Sequence, residues 1–123
     1  MADEIRRLIE HHDGHGLNES IVIETDEPSN GGAAHHYLYL IDGREVGRVQ
    51  FQKGPRLDPT STPGVTEAAM LVSMIDRLRG FQSGAFSSRE NAIIITKLEE
   101  CLHWTKARAD DRARRGVLGK MAR

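Results

Sequence analysis

The residues best suited to binding a ligand lie in the last third of the chain. Two seven-residue repeats run side by side there: Asn91, Leu98, Thr105 and Arg112, and Ile94, Cys101, Arg108 and Arg115. On one helix they form a stripe that starts with an amide, continues through apolar residues and ends in guanidinium groups. A helix rises about 1.5 Å per residue, so Asn91 and Arg108 would be roughly 25 Å apart. One small ligand could contact both only across a dimer, where antiparallel helices of two chains meet.

Four side chains in this region match the parts of a nucleotide-derived anion. Phe81 follows Gly80 and is predicted to lie on a loop, where its ring either staples two helices or stacks on a nucleobase. Asn91 stands where the stripe predicts an apolar residue, so it either fixes helix register or presents a donor and an acceptor to a base or ribose. Arg108 and Arg112 are one helical turn apart, and their planar guanidiniums suit a pyrophosphate.

The sequence has no recognisable catalytic or metal-binding motif. It contains neither the G-x-S-x-G elbow of hydrolases nor a P-loop. Cys101 falls in the apolar stripe, which predicts a buried packing residue and not a nucleophile. A group of polar residues near the N-terminus and a later pair invite a metal hypothesis: His11, His12, Asp13 and His15, and His35 with His36. Adjacent histidines point apart on regular structure, and no further ligand recurs at a suitable spacing. We therefore predict a protein that is not an enzyme, with no cofactor and no metal.

Composition sets the broad class of the protein. A chain of 123 residues predicts a single domain, and a hydrophobic content of 38% is low enough that an oligomer interface would help stability. The single cysteine excludes an internal disulfide and suits a reducing cytosol. No apolar run has the length of a membrane span, and no signal-peptide pattern opens the chain. These features predict a cytoplasmic protein.

The charge is unevenly distributed. Residues 106–123 contain seven Lys/Arg and two Asp/Glu, although the whole chain has a formal net charge of −1. A basic end on an acidic body is typical of a protein with an anionic partner. Charge alone favours the other interpretation, a solvated helix end whose cations complement the helix dipole.

The pattern along the chain predicts an α+β fold that could position these residues. A short amphipathic helix is predicted over residues 3–12 and a loop over 11–16. Three antiparallel strands are predicted over residues 20–25, 34–41 and 45–52, with Asp42-Gly43 as a hairpin turn. Residues 54–64 contain three of the four prolines and separate this β half, about residues 1–54, from a helical half, about 65–116.

The helical half is predicted to be a long antiparallel hairpin. Thr66 caps its first helix, which Gly80 ends. The first helix has an apolar stripe formed by Ala68, Leu71, Met74, Ile75 and Leu78. Ser87 and Glu90 fit a capping box for the second helix, which continues to about Arg115 and stops at Gly116.

Several stretches resemble the first type of phage Thoeris anti-defence proteins. These are FQKGP at 51–55, GVTEAA at 64–69, IDRLRGFQSG at 75–84, RENA at 89–92, TKLEE at 96–100, Trp104 and DRARRGV at 111–117. The helical half is also similar to the hairpin domain of the second type of anti-CBASS sponge proteins. The resemblance covers about residues 35–119, and the chain departs from the pattern at Thr66 and within residues 84–88.

The resemblance implies a function. Members of that family are sponges that hold glycocyclic ADP-ribose isomers, the signals of bacterial TIR proteins, without degrading them. It implies a homodimer with a signal site at the interface, in the cytoplasm of the infected host. The family's ligand-binding residues map onto Phe81, Asn91, Arg108 and Arg112.

Two further hypotheses stay open at this point. Hexamers could bind cyclic trinucleotides at separate sites, where Arg77, Arg79 and Lys97 either contact phosphates or are solvated surface charges. The alternative function is a small helical-hairpin module that inhibits an immune effector by direct protein contact. No membrane and no DNA or RNA polymer is expected as a partner.

Overall fold

The structure, a computed structural model, describes residues 6–12, 15–16, 18–24 and 32–116. It has an α+β fold in which a four-stranded antiparallel sheet precedes two helices. The chain divides into two compact units between Val65 and Thr66. This division falls just after the proline-containing segment at which the sequence predicted a change from β to helical structure. The prediction of a single domain over residues 1–123 stays a prediction.

The first unit contains a sheet whose strands follow one another in chain order. The strands are β1 (Arg6–His12), β2 (Asn18–Glu24), β3 (His36–Ile41) and β4 (Arg44–Gln50), and each pairs antiparallel with the next. The three predicted strands correspond to β2, β3 and β4. Such a meander needs only local hairpin connections, so each strand can pair as soon as its neighbour has formed.

The predicted helix over residues 3–12 is wrong where the structure describes it, because Arg6–His12 is strand β1. His11 and His12, predicted to begin a loop, are also in this strand. The pairing runs from Arg6 opposite Glu24 to His12 opposite Asn18, so the backbone of β1 has partners along its whole length. A helix of about ten residues is marginal alone in water, and the adjacent Leu8 and Ile9 fit either periodicity. Pairing with β2 favours the strand over the helix.

The predicted hairpin turn at Asp42-Gly43 is present. Both residues have positive φ, 48° at Asp42 and 78° at Gly43, which is the conformation of a type I′ turn. The Asp42 N–H donates to the carbonyl of Asn18 at 3.0 Å and so ties the turn to the start of β2. A bulge near Tyr39 and Leu40 then shifts the register of β4, and Val46 is left exposed.

Segment 51–65 folds back on the end of β4. The Val65 N–H donates to the Gln50 carbonyl at 2.9 Å, and Lys53 and Thr62 exchange two backbone hydrogen bonds. The Gln52 side chain accepts from the Gly64 N–H at 3.2 Å. A Cβ on Gly64 would lie 2.5 Å from the Gln50 carbonyl oxygen. Only glycine permits this approach. The composition of the segment predicted an irregular hinge, whereas the structure shows a segment held by hydrogen bonds to β4 and within itself.

The first helix of the second unit, α1 (Glu67–Gln82), begins as predicted. The Thr66 hydroxyl accepts from the Ala69 N–H at 3.1 Å and caps the helix. The predicted end at Gly80 is wrong, since α1 continues to Gln82 and is capped by the Ser83 N–H. Phe81 therefore belongs to the last helical turn and not to the loop. A glycine inside a helix costs only about 1 kcal/mol, which packing of the last turn can offset.

The second helix, α2 (Arg89–Arg114), is continuous and ends before Gly116, which has a φ of 72°. Its N-cap is Ser88, so the predicted capping box starting at Ser87 is wrong by one residue. The Ser88 hydroxyl accepts from the Asn91 N–H at 3.0 Å.

The two helices pack along a seam with coiled-coil spacing. On α2 the half-buried seam residues are Asn91, Ile95, Leu98, Leu102, Thr105, Ala109 and Arg112. Opposite them lies Ile75 of α1, which is 4% exposed. The first of the two predicted repeats therefore faces α1.

The second repeat does not face α1. Its members Ile94, Cys101, Arg108 and Arg115 are all exposed. The prediction that Cys101 is a buried packing residue is thus wrong for this chain. Met74, predicted in the stripe of α1, is 42% exposed. Neither helix of the described residues combines the length and apolar character needed to span a membrane.

We predict that Gly64→Ala lowers the melting temperature measurably, because its methyl group would clash with the Gln50 carbonyl. Gly47→Ala is the matched control in the same unit, since nothing lies within 4 Å of its added Cβ. Thermal unfolding followed by circular dichroism compares the two variants. Equal melting temperatures for both would show that segment 51–65 does not pack as described.

Candidate functional site

Phe81 lies at the loop end of the hairpin with two partners on its ring. It is half-buried in the last turn of α1. The guanidinium carbon of Arg77 is 5.1 Å from the centroid of the Phe81 ring, a cation–π arrangement. The ring of Phe86, from the interhelical loop, packs edge-on against it with centroids 6.2 Å apart and an interplanar angle of 89°.

Asn91 lies at the same end, in the first turn of α2. Its side-chain amide Nδ2 donates to the carbonyl of Phe86 at 3.2 Å. Phe86 thus contacts Phe81 through its ring and Asn91 through its backbone. The structure brings these two predicted residues together at one end of the hairpin.

The loop that joins the helices is held by a side-chain clamp. The Gln82 amide accepts from the Ser88 N–H at 2.8 Å and donates to the Ser88 carbonyl at 3.0 Å. Gln82 therefore fixes the position of Ser88. Ser88 in turn caps α2 by accepting from the Asn91 N–H. Sequence reasoning missed Gln82, Ser88 and Phe86. The sequence did contain a signal for Phe86, because it is an aromatic residue in the short segment between two predicted helices.

Arg108 lies far along α2, toward the opposite end of the hairpin. Its Nη2 is 3.2 Å from Oε1 of Glu67 in the first turn of α1, and both side chains are about two-thirds exposed, 65% and 68%. Arg112, one turn later, is half-buried on the seam. Because α2 is unbroken, Asn91 and Arg108 are roughly 25 Å apart along it, as the sequence predicted. The structure does not bring the two pairs of residues together within one chain.

The basic end of α2 carries compensating carboxylates. Asp111 pairs with Arg114 and Arg115 at 3.2 and 3.1 Å. Lys106 donates to Asp110 at 2.8 Å, and this hydrogen bond lowers the pKa of the Asp110 carboxyl. Asp110 is therefore an anion at neutral pH. With Glu67 beside Arg108, three carboxylates accompany the five cations of segment 106–115, and a positive excess remains.

The three residues predicted as secondary contacts have different environments. Arg77 lies on the Phe81 ring. Arg79 forms an ion pair with Glu99 of α2. Lys97 is exposed on α2. Binding of cyclic trinucleotides by these residues stays a prediction.

Metal-ligating groups do not cluster in the described part of the chain, where no three His, Cys, Asp or Glu residues are placed to hold an ion. His11 Nε2 is 3.9 Å from Glu19 Oε1 across the β1–β2 pair. Asp13 and the His12 side chain lie outside the described residues.

Comparison with known protein families gives a match that includes most of the helical hairpin. A family model described as the Acb2/Tad1 hairpin domain matches residues 44–110. The chain belongs to this family. The match contains Phe81, Asn91 and Arg108 and ends just before Arg112.

A curated relative is consistent with the match. The chain is 41% identical over 75 residues to a protein named Thoeris anti-defense 1 from Bacillus phage SBSphiJ7. The aligned region is 61% of this chain and 52% of the relative, so the chain spans about half of the relative's length. Membership in the predicted family is therefore confirmed.

We predict that Ser88→Ala destabilises the hairpin by about 1 kcal/mol, because it removes the cap of α2. Ser87→Ala should change stability by only a few tenths of that amount, since the cap of α2 is the neighbouring serine. Urea unfolding followed by circular dichroism measures both. The reverse order would place the cap at Ser87 and shift the start of α2.

Proposed function

We propose that this chain is a phage anti-defence protein that binds glycocyclic ADP-ribose signals, holds them intact and thereby blocks Thoeris immunity in the host cytoplasm. The observation that carries the proposal is the placement of an aromatic–amide pair at the loop end of the hairpin and an arginine pair toward its other end, with Asn91 and both arginines on the continuous helix α2. The name of the relative from a Bacillus phage supports the anti-Thoeris part.

A ligand of this kind has a base and ribose at one position and a pyrophosphate at another. Phe81 with Asn91 suits the former, and Arg108 with Arg112 suits the latter. Within one chain they are too far apart, so we infer that two chains align their α2 helices antiparallel. Each ligand then contacts the loop end of one chain and the open end of the other. A two-fold pair of this kind has two equivalent sites.

The exposed face of α2 provides an apolar surface for such a pairing. Trp104 is 69% exposed, and Ile93 and Ile94 are 43% and 44% exposed. Cys101 is exposed beside them and lies ten residues after Asn91 and eleven before Arg112. The two-fold axis that brings Asn91 to the partner's arginines therefore passes close to Cys101, in the middle of this surface.

The contact between Glu67 and Arg108 is compatible with anion binding. An exposed ion pair contributes about 0–1 kcal/mol, whereas a charge-assisted hydrogen bond to a desolvated anion contributes about 1.5–3 kcal/mol. A pyrophosphate can therefore take the place of the Glu67 carboxylate on Arg108.

The proposed mechanism requires no bond to be broken. The ring and amide would orient the base, the guanidiniums would neutralise the phosphates, and the second chain would exclude water. Sequestration then depends on slow dissociation and on a protein concentration above that of the signal.

We predict that the protein retains a glycocyclic ADP-ribose through size-exclusion chromatography and releases it chemically unchanged on heat denaturation. Arg108→Ala should weaken binding on the order of 10- to 150-fold, through loss of charge-assisted bonds to the pyrophosphate. Isothermal titration calorimetry and mass spectrometry of the released ligand measure the two quantities. Arg48→Ala is the matched control, because Arg48 forms a similarly exposed pair with Glu45 in the sheet unit.

Two results would contradict this proposal. Release of a hydrolysed product in excess of the protein would indicate an enzyme. Capture of an immune effector that depends on Phe81 but is insensitive to added nucleotide would favour the alternative, a hairpin module that acts by direct protein contact.

A further inference from the structure

Phe86 is an exposed aromatic residue on an ordered loop. Phe86 is 75% exposed, the highest value among the exposed large hydrophobic residues of the described segments. Burial of a phenylalanine on folding contributes about 1.5–3 kcal/mol to the free energy of folding. Because Phe86 stays exposed, it contributes little of this free energy. Because the Phe86 ring packs edge-on against the ring of Phe81, the two form one aromatic surface at the loop end of the hairpin.

The loop holds Phe86 in place through its own hydrogen bonds. The Gly84 N–H donates to the Phe81 carbonyl at 3.2 Å, and the Ser87 N–H donates to the Gly84 carbonyl at 3.4 Å. The Gln82 clamp on Ser88 closes the loop on its other side. The backbone that carries the ring is thus fixed before any ligand binds, which reduces the entropy lost on binding.

The ring of Phe86 is also more accessible than that of Phe81. Phe81 is half-buried, with the Arg77 guanidinium over its ring and the Phe86 ring packed edge-on against it. A flat base that approaches this end of the hairpin meets the exposed ring of Phe86 first. Offset or edge-to-face packing with two neighbouring rings is favourable for an aromatic base.

The backbone of Phe86 adds a second role. Its carbonyl accepts from Nδ2 of Asn91 at 3.2 Å, which fixes the orientation of the amide group. The Asn91 amide plane is therefore set by the same residue that presents the aromatic ring. One loop residue supplies a stacking face and orients the group that would read the base edge or ribose.

We propose that Phe86 is a base-stacking residue of the signal site, acting together with Phe81, and that its carbonyl positions Asn91. This inference rests on the proposed function, since it assigns a further residue to the same site. The ligand class is a purine nucleotide whose base stacks on Phe86 while its phosphates extend toward the arginines of a second chain.

Phe86→Leu tests the stacking, because leucine keeps an apolar side chain and removes the aromatic face. We expect a 5- to 150-fold loss of affinity for a glycocyclic ADP-ribose in calorimetry, the range of a lost base–aromatic stack. Leu57→Ala is the control for removal of an exposed apolar side chain, since Leu57 is 69% exposed in the sheet unit. It should bind as the unsubstituted protein does.

Phe86→Trp provides a spectroscopic readout when its fluorescence is compared with that of the unsubstituted protein, whose single tryptophan is Trp104. The new tryptophan should retain binding, and its fluorescence should be quenched when the ligand is added, as expected for an indole that stacks on a base. A purely structural role for Phe86 would leave this signal unchanged.

The possible outcomes separate this inference from the function on which it rests. Normal binding by Phe86→Leu together with weak binding by Arg108→Ala would overturn the role of Phe86 and leave the proposed function standing. Absence of binding by the unsubstituted protein would overturn both. Weak binding by Phe86→Leu with an unchanged melting temperature, together with quenching of the tryptophan, would support the inference.

Discussion

The length and continuity of α2 are the physical constraint on which this account depends. An α-helix does not shorten, so residues seventeen positions apart on it stay roughly 25 Å apart. Asn91 and Arg108 are so related, and each has a partner at its own end of the hairpin, the Phe86 carbonyl for Asn91 and the Glu67 carboxylate for Arg108. A compact ligand cannot contact both in one hairpin. Contact of one small ligand with both side chains would therefore need a second chain.

Contacts with the rest of the hairpin hold α2 against α1 along its length. The seam against α1 uses one of the two heptad repeats, and ion pairs join the helices through Arg79 with Glu99 and Arg108 with Glu67. The other repeat remains exposed with Ile94, Cys101 and Arg108. Two helices cannot bury both repeats, so the hairpin alone has a very small core. A second copy would cover the exposed repeat and complete the two-chain site by the same contact.

Much of the fold was predictable because local signals agreed with the final packing. The Asp42-Gly43 turn, the Thr66 cap and the heptad spacing of α2 each depend on neighbouring residues. Strand β1 was not predictable in this way, because Leu8 and Ile9 fit either a helix or a strand until β2 is present. The end of α1 was misplaced for a related reason. Glycine is a frequent helix terminator, but α1 continues past Gly80 for two more residues. It ends at Gln82, whose side-chain amide accepts from the Ser88 N–H.

The candidate site was only partly predictable. Spacing predicted the separation of Asn91 and Arg108, because helix geometry converts sequence distance into length, and the continuity of α2 agrees with it. The environment of each side chain was not available from spacing. The Glu67 partner of Arg108 and the contacts of Phe86 arise from how the loop and the helix ends meet, whereas the exposure of Cys101 depends on which repeat of α2 faces α1. Such contacts join residues far apart in sequence or depend on loop geometry, for which no periodic pattern exists.

A mixed dimer shows whether each site is shared between two chains. Arg108→Ala and Asn91→Ala chains with different affinity tags are co-expressed, and the dimer that carries both tags is titrated with a glycocyclic ADP-ribose. In an antiparallel shared arrangement one site contains both substitutions and the other contains neither. The mixed dimer should then bind one ligand with the affinity of the unsubstituted protein, while either variant alone binds weakly. Two equally weakened sites in the mixed dimer would contradict the account and place the whole site within a single chain.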